Sequence, residues 1–260
     1  MSKFISRKLI LAAAVTGALA QSPTVPKRYD VVAIRPNADN DNRFSFRGGP
    51  SLTGVGVTLK FLIVDAYDVR AFQVSGGPGW IGTERWDIRA KAEGIQGRLQ
   101  RDQFDTMFQA LLEDRFKLKI HTETKEMPVY ALVVGKSGSK LTPHTGGPPA
   151  SDAGRGSLNV KKGGTAALAS LLSLRLGRTV IDKTGLKGEY DFKLKWTPEP
   201  GEEGLESLGL PPVPPSPQPA DTNGPSIFTA VQEQLGLRLE SQKGPVEIIV
   251  VDHAEKPSEN

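Results

Sequence analysis

The order of helix and strand patterns recurs in the two halves of this 260-residue chain, and this recurrence limits its possible folds most strongly. In the first half, a strand pattern covers residues 29–34 and Thr58 caps a helix pattern. Two strand patterns follow this helix, and an amphipathic helix covers residues 104–112. Two more strand patterns end at residue 134. The second half repeats this order, from a helix capped by Thr165, through a second helix capped by Ser226, to a strand ending at residue 251. The recurrence predicts an α+β fold of two pseudo-repeated helix-strand-strand-helix-strand-strand units with antiparallel sheets.

Short strings at matching places support this correspondence. Trp86-Asp87-Ile88 corresponds to Tyr190-Asp191-Phe192, and Met127-Pro128-Val129 corresponds to Gly244-Pro245-Val246. We expect Met127-Pro128-Val129 and Gly244-Pro245-Val246 to lie at or beside hairpin turns, because Pro and Gly favour turns. Each hairpin would close its unit.

Composition divides the chain into segments. Residues 28–140 are predicted to be the first repeat and residues 165–252 the second, joined by a Gly-, Pro- and Ser-rich linker at 141–164 and followed by a polar tail at 253–260. Residues 198–225 hold nine of the 20 prolines and predict a mobile insertion within the second repeat, because such chain stays extended and solvated. A polyproline ligand for an aromatic groove is the alternative.

The first 20 residues predict an export signal peptide. Lys3, Arg7 and Lys8 precede an apolar run at residues 9–20, and Ala18-Leu19-Ala20 offers a small-x-small cleavage site. The run is shorter than the roughly 20 residues that span a bilayer, so we expect cleavage and no permanent membrane span in the mature chain. The predicted location is periplasmic or extracellular. A buried or amphipathic N-terminal helix is the alternative.

Composition and charge exclude several function classes. The chain has no Cys, which excludes disulfides, Cys-ligated metals and thiol nucleophiles. Without its first 20 residues the chain has 30 basic and 29 acidic side chains, a net charge of +1. This balance predicts no nucleic-acid partner, because binding to phosphates requires concentrated positive charge.

No motif predicts a cofactor or a metal ion. The G-x-G-x-x-G pattern at residues 77–82 is followed by a strand pattern, and Pro78 has no N–H to donate, so a hairpin turn is expected. His121 and Glu123 share one face of a strand, which leaves weak metal binding as an alternative to a solvated face. We therefore predict no catalytic residue, no cofactor and no metal ligand.

Carboxylates are the remaining candidates for catalysis. Asp65 and Asp68 are three residues apart on a helix, Asp87 and Asp191 occupy matching strand positions, and Asp182 precedes a turn. Acid–base chemistry needs two carboxylates held in different environments within a cleft, which spacing alone does not predict. Solvated faces are the simpler interpretation.

Two turns carry the predicted partner-binding residues. Pro78 and Trp80 belong to the first turn and Leu186 to the second, and the position of Trp80 at a turn tip favours exposure. Strand edges and exposed turns are the expected docking surfaces, because strand addition requires only free backbone groups.

Five strings in the sequence resemble a family of exported, uncharacterised proteins of acidobacterial-type soil bacteria. They are Tyr29-Asp30-Val31-Val32, Gly76-Gly77-Pro78-Gly79-Trp80, the stretches 111–118 and 178–192, and the ending 255–260. The resemblance implies a duplicated domain of unknown function without assigned catalytic residues. A looser likeness, to the short N-terminal domain of secretins and TonB-dependent receptors, implies protein–protein docking in the envelope, although fold likeness does not fix function.

These observations predict an exported binding or interaction module in the cell envelope, with a protein partner there and no catalytic activity. Two alternatives are a sensory domain that binds a small ligand between the halves, and an envelope hydrolase that uses carboxylates such as Asp182 or Asp191.

Overall fold

The computed structural model describes residues 28–37, 43–95, 97–154, 156–198 and 224–258. The predicted signal peptide and nearly all of the predicted insertion at 198–225 lie outside the described residues.

Twelve strands and four helices make up the described chain. The first half contains β1 (Val31–Pro36), β2 (Ser45–Arg47), β3 (Ser51–Thr58), α1 (Leu59–Ala66), β4 (Val74–Gly76), β5 (Arg85–Lys91), α2 (Arg101–Arg115) and β6 (Lys119–Val134). The second half contains β7 (Thr142–Pro143), β8 (Ala150–Gly154), β9 (Ser157–Gly163), α3 (Thr165–Leu176), β10 (Val180–Asp182), β11 (Tyr190–Lys195), α4 (Ile227–Leu235) and β12 (Leu237–His253). Two short 3-10 helices, Ala71–Gln73 and Gly79–Gly82, flank β4. The predicted α+β class is confirmed.

The strands form three sheets of four. Sheet A has the order β1-β5-β3-β2 and sheet C the order β7-β11-β9-β8, and both are antiparallel. Sheet B has the order β10-β6-β12-β4, in which β6 and β12 are antiparallel while β10 and β4 run parallel to their neighbours. The two antiparallel sheets have the same strand order, since β7, β11, β9 and β8 take the places in sheet C that β1, β5, β3 and β2 take in sheet A.

The two predicted terminal hairpins are wrong. Each is one long strand, β6 or β12, and the two strands pair with each other along nearly their whole length. Their central strings meet in this pairing, with Met127 opposite Gly244 and Pro245 opposite Glu126.

The position of Pro128 explains why a proline is tolerated inside β6. The N–H of Tyr130 donates to the carbonyl of Thr179 at 2.9 Å, so this side of β6 faces β10. Pro128 lies two residues earlier and faces the same side, before the three residues of β6 that β10 covers. A proline at an uncovered edge removes no ladder hydrogen bond, so the strand continues.

Residues 141–164 contain β7, β8 and β9, which belong to sheet C, so their prediction as a linker is also wrong. The alternation of Leu158 and Val160 with exposed residues marks β9 as a half-buried strand, a signal that the Gly-rich flanks obscure.

The helix caps agree with the sequence in two of three cases. Thr58 and Ser226 accept the backbone N–H of the third residue after them, as predicted. The cap of α3 is Gly164 instead of Thr165, and Thr165 is the first helical residue.

Two large hydrophobic cores lie at the two ends of sheet B, and a smaller cluster contains Val129 of β6 with Val246 and Ile248 of β12. The first joins α1, α2 and one face of sheet A to Ile249 and Val251 of β12. The second joins α3, α4 and one face of sheet C to Leu132 of β6 and Leu237 of β12. Because each long strand contributes to both ends, sheet B positions the two cores relative to each other.

Candidate functional site

The free edge of β1 is the first component of the candidate site. β1 pairs only with β5 among the described strands. The N–H of Asn37 donates to the carbonyl of Arg85 at 2.9 Å. Because every second residue of an antiparallel strand bonds to the same neighbour, Ala33 and Arg35 also bond to β5. The N–H groups of Val32 and Ile34 therefore point away from sheet A. An extended segment can hydrogen-bond to them as a fifth strand.

A cavity of about 240 Å³, which we call the β1 groove, lies beside this edge. The backbone N–H of Glu255 donates to the carbonyl of Phe116 at 2.7 Å, and Lys256 Nζ donates to Glu84 Oε1 at 2.6 Å. These contacts hold the C-terminal segment as one wall, and the end of α2 forms another. The lining residues are Ile34, Asp114, Arg115, Lys117, Glu255, Lys256, Pro257 and Ser258.

The turn after α2 brings a lysine to the groove. Phe116 is fully buried in the first core, and the next residue, Lys117, has a φ of +49°. This left-handed conformation costs about 1–2 kcal/mol for a residue other than glycine. Strained backbone of this kind is concentrated at functional positions.

The groove offers positive charge to a ligand. Arg115 Nε is buried without a hydrogen-bond partner among the described residues, and the nearest anion, Asp114 Oδ2, lies 3.4 Å away. Lys117 makes no ion pair with the described residues, whereas Lys256 is paired with Glu84. The Arg115 side chain is 30% exposed, so a bound carboxylate would pair with the accessible part of its guanidinium. The arrangement suits an extended peptide that carries an acidic side chain.

A larger cavity, of about 610 Å³, opens at the start of α2. Burial raises the pKa of Asp65 in its wall, and Arg101 opposes this shift. Arg101 is already held by Asp105, with Nε and Oδ1 2.8 Å apart. The lining residues are Phe46, Gly48, Gly49, Asp65, Arg98, Leu99, Gln100, Arg101 and Phe104.

A third cavity, of about 360 Å³, lies on sheet C and includes Lys140, Lys161 and Lys193 in its lining. This cavity and the 610 Å³ cavity are each lined by residues from one half of the chain only. Neither lies between the halves, where a sensory ligand site was expected.

The predicted partner-binding residues are half-buried. Pro78 precedes a 3-10 helix that contains Trp80. The hairpin turn expected at residues 77–82 is wrong, because the flanking strands β4 and β5 belong to different sheets. The Trp80 ring stacks on Phe116 with centroids 6.5 Å apart and meets Trp86 edge-on at 6.3 Å. Leu186 packs against the second core. Trp80 and Leu186 therefore have packing roles, and their use in partner binding stays a prediction.

Asp182, a candidate for acid–base chemistry, organises the turn after β10. It accepts the hydroxyl of Thr165 at 2.6 Å and both the N–H and the hydroxyl of Thr184, at 2.9 and 2.7 Å. Partial burial raises its pKa, but these hydrogen bonds outweigh burial and lower the pKa of Asp182 below its usual value. A carboxyl kept ionised in this way is unsuited to donating a proton.

Asp191 is also occupied by structural contacts. Its Oδ1 accepts the backbone N–H of Lys162 at 3.0 Å and lies 2.7 Å from His144 Nδ1. The Lys162 N–H and then His144 lower the pKa of Asp191. Asp87 likewise accepts a backbone N–H, from Gly56.

His121 lies between two carboxylates. Its Nδ1 lies 2.9 Å from Asp252 and its Nε2 lies 3.0 Å from Glu123. Glu123 and then Asp252 raise the pKa of His121. Within the described ranges, no group of three or more metal-ligating side chains is arranged to hold a metal ion.

Sequence reasoning predicted the strand at residues 29–34 but not the residues of the β1 groove. A basic residue at a helix C-terminus, such as Arg115, ordinarily complements the helix dipole and gives no sign of a groove. The approach of residues 255–258 to β1 is a long-range contact without a local sequence signal.

The comparisons with known proteins identify the family. No helix in the described part of the chain combines the length and apolar character needed to cross a membrane. No curated protein and no solved structure matches the chain. The family model described as "Protein of unknown function (DUF3738)" matches residues 60–254, about three quarters of the sequence. The chain therefore belongs to the DUF3738 family.

Proposed function

We propose that the protein is an exported, non-catalytic binding module of the cell envelope, and that it docks an extended segment of a partner protein on the free edge of β1. The observation that carries this proposal is the outward N–H pair of Val32 and Ile34 beside the β1 groove. Backbone pairing would supply affinity, and Arg115 and Lys117 would select a segment with an acidic side chain.

The free edge of the N-terminal part of β6 is less suited to pairing than that of β1. The N-terminal part of β6 carries Lys119, His121, Glu123 and Lys125 as well as Pro128, features that natural sheets use to block edge pairing. β1 instead begins with Val31, whose side chain is 55% exposed. The apolar edge of β1 is therefore the better docking surface.

Export and duplication are parts of the same proposal. The basic and apolar pattern of residues 1–20 supports export. We infer two repeats, each of three strands, helix, two strands, helix and one long strand, from the matching orders of sheets A and C. The inference is supported by the matching contacts of Asp87 and Asp191 with backbone N–H groups.

Small-ligand binding is the second candidate, favoured by the cavity at the start of α2. Its volume of about 610 Å³ is within the range of ligand pockets, and it combines Phe46 and Phe104 with Arg98. Docking at β1 is preferred because the β1 groove adjoins unpaired backbone donors.

Site-specific photo-crosslinking in envelope extract tests the docking proposal. A photoreactive residue replaces Val31 at the edge or, as a matched control, Leu174 on α3, which is 42% exposed. We expect a discrete protein adduct from position 31 and none from position 174. Val32→Pro, which removes an outward N–H, should reduce the adduct at least tenfold without changing the far-UV spectrum. Equal adducts from both positions would refute docking at β1.

A further inference from the structure

The side of sheet A that points away from the first core carries four exposed cations, which we call the cationic face. In β5, Trp86, Ile88 and Ala90 are buried, so the alternating residues Arg89 and Lys91 point outward. The four cations of the face are Arg35 of β1, Arg47 of β2, and Arg89 and Lys91 of β5, and all four are exposed.

The strand register places these cations in one patch. Arg89 lies opposite Ala33 of β1 and Thr53 of β3, and Thr53 lies opposite Arg47 of β2. Directly opposed side chains on antiparallel strands have Cβ atoms about 5 Å apart. Lys91 lies opposite Ser51, and Arg35 lies opposite Asp87. These two pairs are the outward-facing neighbours of the Arg89 pairs, one on each side along the strands.

The charge of the patch is not neutralised within the described chain. None of the four cations forms an ion pair or a side-chain hydrogen bond with another described residue. Asp87 is the one acidic residue among the outward positions of the described strands of sheet A. Its Oδ1 accepts the N–H of Gly56 at 3.0 Å and an N–H of Asn37 Nδ2 at 2.8 Å, and its single negative charge leaves the four cations in excess.

The patch is a local excess, since the chain without residues 1–20 has a net charge of only +1. Long-range attraction to an anionic partner is therefore weak, and binding must depend on which side of the protein faces the partner. A directed, short-range electrostatic contact is the expected mode.

The chemistry of the face identifies the partner. Its outward positions hold no aromatic ring, whereas single-stranded nucleic acids are held by base stacking. Between the cations stand short side chains such as Ala33, Ser51 and Thr53, so the arginines project from a flat surface. Guanidinium groups bind phosphate oxygens in a bidentate manner. We propose that the cationic face binds the phosphate headgroups of an anionic phospholipid bilayer.

This proposal rests on side-chain charge and is independent of strand docking at β1. Co-sedimentation of the full chain with vesicles tests it, comparing mixed phosphatidylglycerol–phosphatidylcholine vesicles with pure phosphatidylcholine vesicles. The apolar run at residues 9–20 would bind both kinds and Lys3, Arg7 and Lys8 beside it would favour the anionic vesicles, so the measured quantity is how this preference changes when cations of the face are removed. We expect stronger binding to the anionic vesicles and a loss of this preference as salt is added.

Two double variants with the same change in net charge locate the binding surface. R89Q with K91Q should lower the partition coefficient for anionic vesicles by about 25-fold, or about fivefold for each cation removed. K161Q with K193Q on sheet C should change it less than about twofold, because Asp152 and Asp191 lie on that outward face and offset its lysines. Thermal melting checks that both variants remain folded.

The results separate this proposal from its rivals. Equal losses in the two double variants would show a net-charge effect and overturn the assignment to the cationic face. Binding of soluble polyphosphate without any preference for anionic vesicles would overturn the bilayer as partner. The crosslink from position 31 should survive in R89Q with K91Q, so failure of the lipid proposal is distinguishable from failure of strand docking.

Discussion

The carboxylate of Asp191 accepts the backbone N–H of Lys162 at 3.0 Å, and Lys162 has a φ of +62°. In the first half, the carboxylate of Asp87 accepts the N–H of Gly56, also at 3.0 Å. Gly56 has the same φ of +62°. In both halves an aspartate thus holds a left-handed residue of the neighbouring strand. One of these residues is a glycine and the other a lysine, which makes a reciprocal test possible.

We expect Lys162→Gly to stabilise the protein by about 1 kcal/mol, because glycine adopts a left-handed conformation without the steric cost that a side chain incurs. The measurement is the free energy of unfolding from urea denaturation. Gly56→Ala is the matched control and should be destabilising, because its Cβ would collide with the carbonyl oxygen of Arg43. A destabilised Lys162→Gly variant would show that the two positions are not equivalent.

Stability should fall in acid partly through Asp182. Its folded-state pKa is lowered, despite partial burial, by Thr165 and Thr184. Its stabilising contribution is therefore present above the unfolded-state pKa of about 3.9 and is lost as the pH falls through the lower folded-state value. Asp182→Asn should weaken the acid dependence of the melting temperature below about pH 4. An unchanged pH profile would remove Asp182 from this role.

His121 should titrate above its ordinary pKa, because Glu123 and Asp252 stabilise the protonated ring. Its contribution to stability is fully present below the unfolded-state pKa of 6.5 and is lost as the pH rises through the higher folded-state value. The chemical shifts of its ring protons measure the midpoint by NMR. Glu123→Gln should lower this midpoint. A midpoint that does not move would contradict the contact between the two side chains.

Trp80→Ala should destabilise the protein by about 2 kcal/mol, less than a fully buried tryptophan, because the ring is half-buried against Phe116 and Trp86. Urea denaturation followed by tryptophan fluorescence measures the loss. Trp80→Phe retains an aromatic contact and should recover part of it. A Trp80→Ala variant of unchanged stability would return Trp80 to the exposed binding role predicted from its turn.

Local patterns predicted much of the fold. All four helices and the strands β1, β5, β10 and β11 followed from periodicity and caps. The amphipathic spacing of α2 predicted its five buried residues, which are Phe104, Met107, Phe108, Leu111 and Leu112. These features depend on neighbouring residues, so they can be read from the sequence.

The errors arose where distant contacts decide the structure. Pro128 and Gly244 favour turns locally, but each lies within a long strand because β6 and β12 pair with each other. The β1 groove depends on the approach of residues 255–258 to the end of α2, with Glu255 bonded to Phe116. Neither contact has a local pattern, so the candidate site was not predictable beyond a general preference for strand edges and turns.

Amide hydrogen exchange of β1 tests the proposed function most directly. In the free protein the N–H groups of Val32 and Ile34 should exchange rapidly, while those of Ala33 and Arg35, bonded to β5, should be protected. Addition of the partner recovered by crosslinking from position 31 should protect Val32 and Ile34 and leave Ala33 unchanged. Protection of Val32 and Ile34 already in the free protein, or their continued rapid exchange in the complex, would contradict strand docking on β1.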